Sequence, residues 1–184
     1  MKNMIIDPWS GCGEIKFGMA VEEVEALLGI GQYINDPYSD IFYGWFQNET
    51  IHIGFINNVV VEIEIANSIA NTTDIILFGI DVFRNKAEEV IAALEERAAC
   101  TWDTPDKELS TTYEFSDLGI SLWRDHAFHP KLYDNKAYMQ SFAKMSLEMQ
   151  EDEMRFWYFQ SIVVKTHNMY DNKVIPDINN YITT

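Results

Sequence analysis

Asp125, His126 and His129, in the run Asp125-His126-Ala127-Phe128-His129, are the residues of this sequence best equipped for chemistry. Two imidazoles three apart with a carboxylate alongside would face one transition metal if the segment were helical. Pro130 and the apolar run before them place the segment on a loop, so local structure does not set a ligand geometry, and solvated loop histidines are the plainer reading. Cys12 sits between Gly11 and Gly13, where a reactive thiolate would need a nearby base and an electropositive setting. The nearest histidine in sequence is His52. The adjacent pairs Glu22-Glu23, Glu88-Glu89 and Glu95-Glu96 invite an acid/base reading, but neighbours on a helix point about 100° apart and such pairs are solvated faces. Gly11-Cys12-Gly13 and Gly29-Ile30-Gly31 each lack the third glycine of a dinucleotide fingerprint. Neither a Gly-x-Ser-x-Gly elbow nor paired Cys-x-x-Cys knuckles occur. With no set of nucleophile, base and orienter, the sequence reads as a non-enzymatic binder that needs no cofactor. The alternative left open is a small metal- or ligand-binding enzyme using Asp125, His126 and His129.

Charge narrows the partner. The 184 residues carry a net charge of -16, with 22 acidic against 7 basic side chains in residues 1–125 and 7 against 6 in residues 126–184. Such a field repels nucleic-acid phosphates and acidic membranes and attracts a basic protein. Hydrophobic residues at 47% and aromatics at 14% provide for a packed core. No apolar run approaches the ~18 residues of a membrane span, and Asp7-Pro8 interrupts the N-terminus before a signal-peptide core, so the expected location is the cytoplasm. Cys12 and Cys100 fit neither a disulfide framework nor a zinc site and read as free thiols.

The elements that would position these groups appear twice. Ile15-Lys16-Phe17-Gly18-Met19 leads into a helix at about Val21 to Leu28, and Ile76-Leu77-Phe78-Gly79-Ile80 leads into another ending near Ala98. In the first helix Ala20, Val24, Leu27 and Leu28 make an apolar stripe, Ala20 stands where a capping hydroxyl would be stronger, and Gly29 suits a left-handed C-terminal cap. In the second, Asn85 and Glu88 have capping-box spacing. Strands are predicted at Ile41 to Gln47, Thr50 to Ile56 and Val59 to Ala66, the last two joined by Asn57-Asn58 as an antiparallel hairpin. The second set is Thr111 to Phe115, Gly119 to Arg124 and Arg155 to Thr166. Residues 126–154 interrupt it as an insertion, mostly one helix from about Lys136 to Glu153, whose Tyr138, Phe142, Met145 and Met149 form a stripe read as core.

These patterns predict an α+β chain of two tandem modules, each a helix followed by three antiparallel strands, with helices on one sheet face. The first module covers residues 1–70 and the second 71–167 with the insertion 126–154, while residues 168–184 form a C-terminal tail. Strand alternation sends Ile51, Ile53 and Phe55 to one face and His52, Glu62 and Glu64 to the other. Trp45 and Trp123 are candidate anchors on that second face, although one residue of register would exchange Trp45 for Phe46. The candidate site for a protein partner is therefore Trp45, His52, Glu62, Glu64 and Trp123.

Ile15, Phe17-Gly18-Met19, Val24 and Leu28-Gly29 resemble the opening of the repeat in the beta-lactamase inhibitor protein family. In single copy the pattern also resembles small outer-membrane lipoproteins of the assembly machinery. The resemblance implies tandem modules forming one sheet whose exposed face grips another protein, and related folds occur among immunity proteins that neutralise bacterial toxins. The chain lacks the secretion signal, lipobox cysteine and disulfides of those relatives, so the expected role is binding of a basic partner such as a toxin in the cytoplasm.

Overall fold

A computed structural model describes residues 2–35, 37 and 40–166. The predicted tail, 168–184, lies outside them. The fold is α+β, with four α-helices and two sheets among the described residues. In chain order the elements are β1 (Lys2–Asp7), β2 (Gly11–Cys12), β3 (Ile15–Lys16), α1 (Val21–Leu28), β4 (Gln32–Asn35), β5 (Phe42–Phe46), β6 (Ile51–Ile56) and β7 (Val59–Ala66). Then come β8 (Thr73–Leu77), β9 (Ile80–Asp81), α2 (Ala87–Glu95), β10 (Thr101–Trp102), β11 (Thr112–Phe115), β12 (Ile120–Trp123), α3 (Lys136–Phe142), α4 (Leu147–Arg155) and β13 (Ser161–Lys165).

The larger sheet is antiparallel throughout, in the order β10-β11-β12-β13-β7-β6-β5-β4. Its centre is the β7 to β13 pair, where Ile162 faces Ile65 and Val164 faces Ile63. The smaller sheet runs β3-β2-β1-β8-β9, with β1 parallel to β8. Alternation decides what each strand buries. Ile51, Ile53, Phe55, Ile63 and Ile65 are fully buried and belong to one core with Cys12, Ile15 and Ile75 of the smaller sheet. Val24 of α1 and Ala87, Val90, Ile91 and Leu94 of α2 enter the same core. The Tyr33 hydroxyl donates to Glu25 at 2.7 Å, which ties β4 to α1.

The hairpin at Asn57-Asn58 has φ of 53° and 64°, the pair of positive angles that matches the twist of the strands it joins. The N-termini of α1 and α2 are each half of a capping box. Glu23 accepts from the Ala20 N–H at 2.8 Å and Glu89 from the Lys86 N–H at 3.0 Å, while neither Ala20 nor Lys86 offers a side-chain oxygen in return. The cap of α2 is thus Lys86 instead of Asn85, whose amide donates to the Asp81 carbonyl. Gly29 closes α1 at φ 90° and ψ 178°, a glycine conformation other than the left-handed helical one.

Several expectations are corrected. Four strands, not three, follow each of α1 and α2, because β4 and the two-residue β10 complete the sheet edges. Their residues are exposed throughout, so they carry no buried alternation that sequence could reveal. The single helix expected from Lys136 to Glu153 is two, since the Ser146 hydroxyl accepts from the Met149 N–H at 3.2 Å and starts a new helix. Neither α3 nor α4 contains a buried residue, so the stripe Tyr138, Phe142, Met145 and Met149 is not core. Arg155 to Gln160 are not strand. The Trp157 indole donates to both Glu88 oxygens at 2.8 and 3.0 Å, and Phe159 meets Tyr113 edge-on at 5.7 Å, contacts that an extended run could not direct to both places. Phe128 is 1% exposed and packs on Tyr133, Phe142 and Trp157, giving the insertion its own small apolar cluster.

Candidate functional site

Because successive side chains of a strand alternate, the register settles which residues share the face of the larger sheet turned away from the core. Trp45 lies opposite His52, His52 opposite Glu64, and Glu64 opposite Val163 on the neighbouring strand. Glu62 stands between Gly54 and Lys165. Trp123 lies across from Ser161, which in turn faces Ala66. All five residues singled out from sequence therefore lie on one face, opposite the face that meets the core. Phe46 points inward and is 2% exposed, so the register leaves Trp45 outside.

The face is organised around acid. His52 Nδ1 lies 3.2 Å from Glu64 Oε2, its Nε2 lies 3.1 Å from the Glu49 carbonyl, and Trp45 tilts over the ring at 5.6 Å. Whichever nitrogen carries the proton has an acceptor. Burial pushes the Glu62 carboxyl above its usual range, partly offset by Lys165 and by a hydrogen bond from Tyr43, with Glu64 and Glu114 adding to the rise. Trp123 remains 42% exposed. Tyr43, Glu114 and Lys165 were not singled out from sequence, although strand alternation would have placed Lys165 beside Glu62 once β13 was known to start at Ser161.

A raised carboxyl means that the folded state holds its proton more tightly than the unfolded chain. Stability at this site is then greatest below the unfolded carboxylate range and falls as pH rises through the folded value. Glu62→Gln removes the ionisation. It is expected to melt above the parent at pH 7, with the difference shrinking to zero as the pH is lowered below about 4. Thermal melts of both proteins across that range provide the measurement, and a constant offset at every pH would contradict the assignment.

At the end of this face, a cleft of about 410 Å³ lies among Ile30, Gln32, Trp45, Phe46, Gln47, Asn48 and Glu49. Its rim is the turn joining β5 to β6, where Gln47, Asn48 and Glu49 have φ of 50°, 55° and 64°. Left-handed backbone costs a side-chain-bearing residue roughly 1 kcal/mol, and here three occur in succession. The turn is held by the Thr50 hydroxyl, which donates to the Gln47 carbonyl at 2.7 Å, and by His52 at the Glu49 carbonyl.

A second cavity, about 190 Å³, lies between α2 and the inner face of β11 and β12, lined in part by Glu88, Glu95, Lys107, Tyr113, Arg124 and His129. Its polar groups are engaged in the framework. Glu88 holds the Trp157 indole, Lys107 pairs with Glu95, and Arg124 donates to the carbonyls of Ser110, Phe156 and Glu108 at 3.1, 3.1 and 3.0 Å. This arrangement fastens the insertion to α2 and β12.

The histidines of the Asp125 to His129 run have separate partners. His126 Nε2 lies 2.9 Å from Glu153 and its Nδ1 3.4 Å from Asp125, while His129 Nδ1 accepts from the Lys131 N–H at 3.2 Å and caps the turn Pro130–Asp134. Among the described residues no three His, Cys, Asp or Glu side chains converge on a metal position. Burial pushes the Cys12 thiol up to about 12, against a smaller opposing pull from Lys16. It raises Cys100 to about 11, with Glu95 adding to the rise. Both thiols are therefore protonated and poor nucleophiles at neutral pH. No helix among the described residues is long and apolar enough to cross a membrane. No family model, curated protein or solved structure matches the chain.

Proposed function

We propose that this protein is a non-enzymatic, acidic binding module that occludes a basic protein partner through the face of its larger sheet turned away from the core, in the manner of an inhibitor or a toxin immunity protein. One observation carries the reading: Trp45, His52, Glu62, Glu64 and Trp123, from five different strand positions, share that face. Aromatic anchors supply the energy that slows dissociation, whereas the acids draw in a basic surface and speed its arrival. The same reading takes the chain as two fused modules, residues 1–70 and 71–167 with 126–154 inserted. In its support, each set of four strands ends at the central pair, so that β4 to β7 mirror β10 to β13. Phe17-Gly18 and Phe78-Gly79 precede the two helices in turns where both glycines have positive φ. Kinship with the beta-lactamase inhibitor protein family is proposed on the same grounds.

The test is kinetic, with a basic protein encoded beside this one as the first candidate partner. Glu62→Gln combined with Glu64→Gln is expected to slow association by about tenfold at low salt and to flatten its salt dependence. Trp123→Ala is expected to leave association nearly unchanged and to speed dissociation by about tenfold or more. Unchanged rates in both variants, with both folded, would exclude this face as the docking surface.

A further inference from the structure

We infer that the cleft at the end of the sheet face is a receptor for a single guanidinium group, so that one arginine of the basic partner inserts there. The inference rests on the reading of the face as a docking surface and adds what the partner must present. Three features of the cleft agree on that chemistry. Trp45 is among the residues lining it, and an aromatic face attracts a cation, most of all a planar, weakly hydrated one that can stack on it. Glu49 supplies a carboxylate that makes no ion pair with any described residue, and Gln32, Gln47 and Asn48, each carrying an amide, line the same space. A guanidinium offers five N–H donors in a fixed plane and can meet a carboxylate and amide oxygens together while its flat face lies on the indole. An ammonium would satisfy the charge but not the stacking.

The third feature is the rim. Gln47, Asn48 and Glu49 hold left-handed backbone in succession, and the strain is sustained by Thr50 and His52 at the carbonyls of Gln47 and Glu49. His52 Nδ1 also lies 3.2 Å from Glu64, so the histidine beside the turn that carries Glu49 belongs to the acidic face itself. A relaxed turn with glycine would close the same hairpin. The observed one holds the backbone of Gln47, Asn48 and Glu49 at the rim of the cleft before any ligand arrives, which lowers the ordering cost of binding. At about 410 Å³ the cleft has room for one arginine side chain together with bridging water.

The experiment titrates the intact protein with three capped tripeptides, Gly-Arg-Gly, Gly-Lys-Gly and Gly-citrulline-Gly, followed by amide and indole N–H resonances. Citrulline keeps the planar shape and removes the charge. The arginine peptide is expected to shift the Trp45 indole and the amides of residues 47–49 saturably, with a dissociation constant on the order of millimolar. The lysine and citrulline peptides are expected to bind about threefold and tenfold more weakly. Glu49→Gln and Trp45→Leu are each expected to weaken the arginine peptide by about tenfold, whereas Glu148→Gln, on the exposed helix α4, leaves it within about twofold. Equal response to arginine and citrulline, or no saturable shift at these residues, overturns the inference. If an arginine-rich peptide then still perturbs residues 62–64 but not 45–49, the docking face stands without the receptor cleft; if it perturbs neither, both fall.

Discussion

Replacing Arg124 by methionine is expected to destabilise the protein by about 3 kcal/mol. The side chain is 1% exposed and makes no ion pair among the described residues. Its charge is instead met by backbone oxygens: Nε donates to Ser110, Nη1 to Phe156, and Nη2 to Glu108 and to the Tyr113 hydroxyl at 3.1 Å. Methionine keeps the apolar stem and removes every donor, leaving three carbonyls short of a partner, while the Tyr113 hydroxyl still donates to the Lys107 carbonyl. Each such loss costs about 1–3 kcal/mol, and relief of the buried charge offsets part of the sum. Arg124→Lys should recover little, because one ammonium cannot span acceptors drawn from residues 108–110 and from Phe156 at once. Because Phe156 directly follows the inserted segment 126–154, that segment should also become more open to proteolysis than the sheet. Urea unfolding with an unchanged slope measures the first effect and limited proteolysis the second. A variant within about 0.5 kcal/mol of the parent would show that the network is ornamental.

Arg124 also marks where sequence reasoning stops. An arginine closing a predicted strand reads as an exposed end, and its burial depends on carbonyls from two loops whose approach no local pattern encodes. By contrast, β6 and β7 were legible because Ile51, Ile53, Phe55, Ile63 and Ile65 alternate with polar neighbours and Asn57-Asn58 supplies the turn. The same alternation identified the face bearing Glu62 and Glu64, and the register puts Trp45 and Trp123, named as anchors from sequence, on that face. The aromatic run Phe156-Trp157-Tyr158-Phe159 has strand composition but forms none, because tertiary partners at Glu88 and Tyr113 override propensity. The cleft was invisible for a different reason. Its walls come from residues 30–32 and 45–49, and nothing in Gln47-Asn48-Glu49 announces three left-handed residues.

Gly119→Ala is expected to cost at least as much as the arginine substitution, and its cause can be isolated. Gly119 closes the turn between β11 and β12 at φ 61° and ψ 33°. A Cβ built there would lie 2.4 Å from the Lys165 carbonyl oxygen, a backbone atom that no rotamer change can move. The Lys165 N–H in turn donates to the Gly119 carbonyl at 2.8 Å, so the methyl would force apart the strands it joins. Gly18 has a comparable φ of 81° but open space where its Cβ would be. Gly18→Ala should therefore show the conformational cost alone, roughly 1 kcal/mol, while Gly119→Ala should add the clash and reach about 3 kcal/mol or more. Asparagine, which tolerates left-handed backbone, should rescue position 18 and not position 119. Equal losses at the two positions would mean that the β12 to β13 contact yields easily. The consequence extends to the docking face, because Lys165 is the residue opposite Glu62 on the central strand pair. A backbone shift that moved Lys165 away would remove the cation that partly holds Glu62 ionised, so on the proposed function a Gly119→Ala protein that still folds should show slower association with a basic protein as well as lower stability.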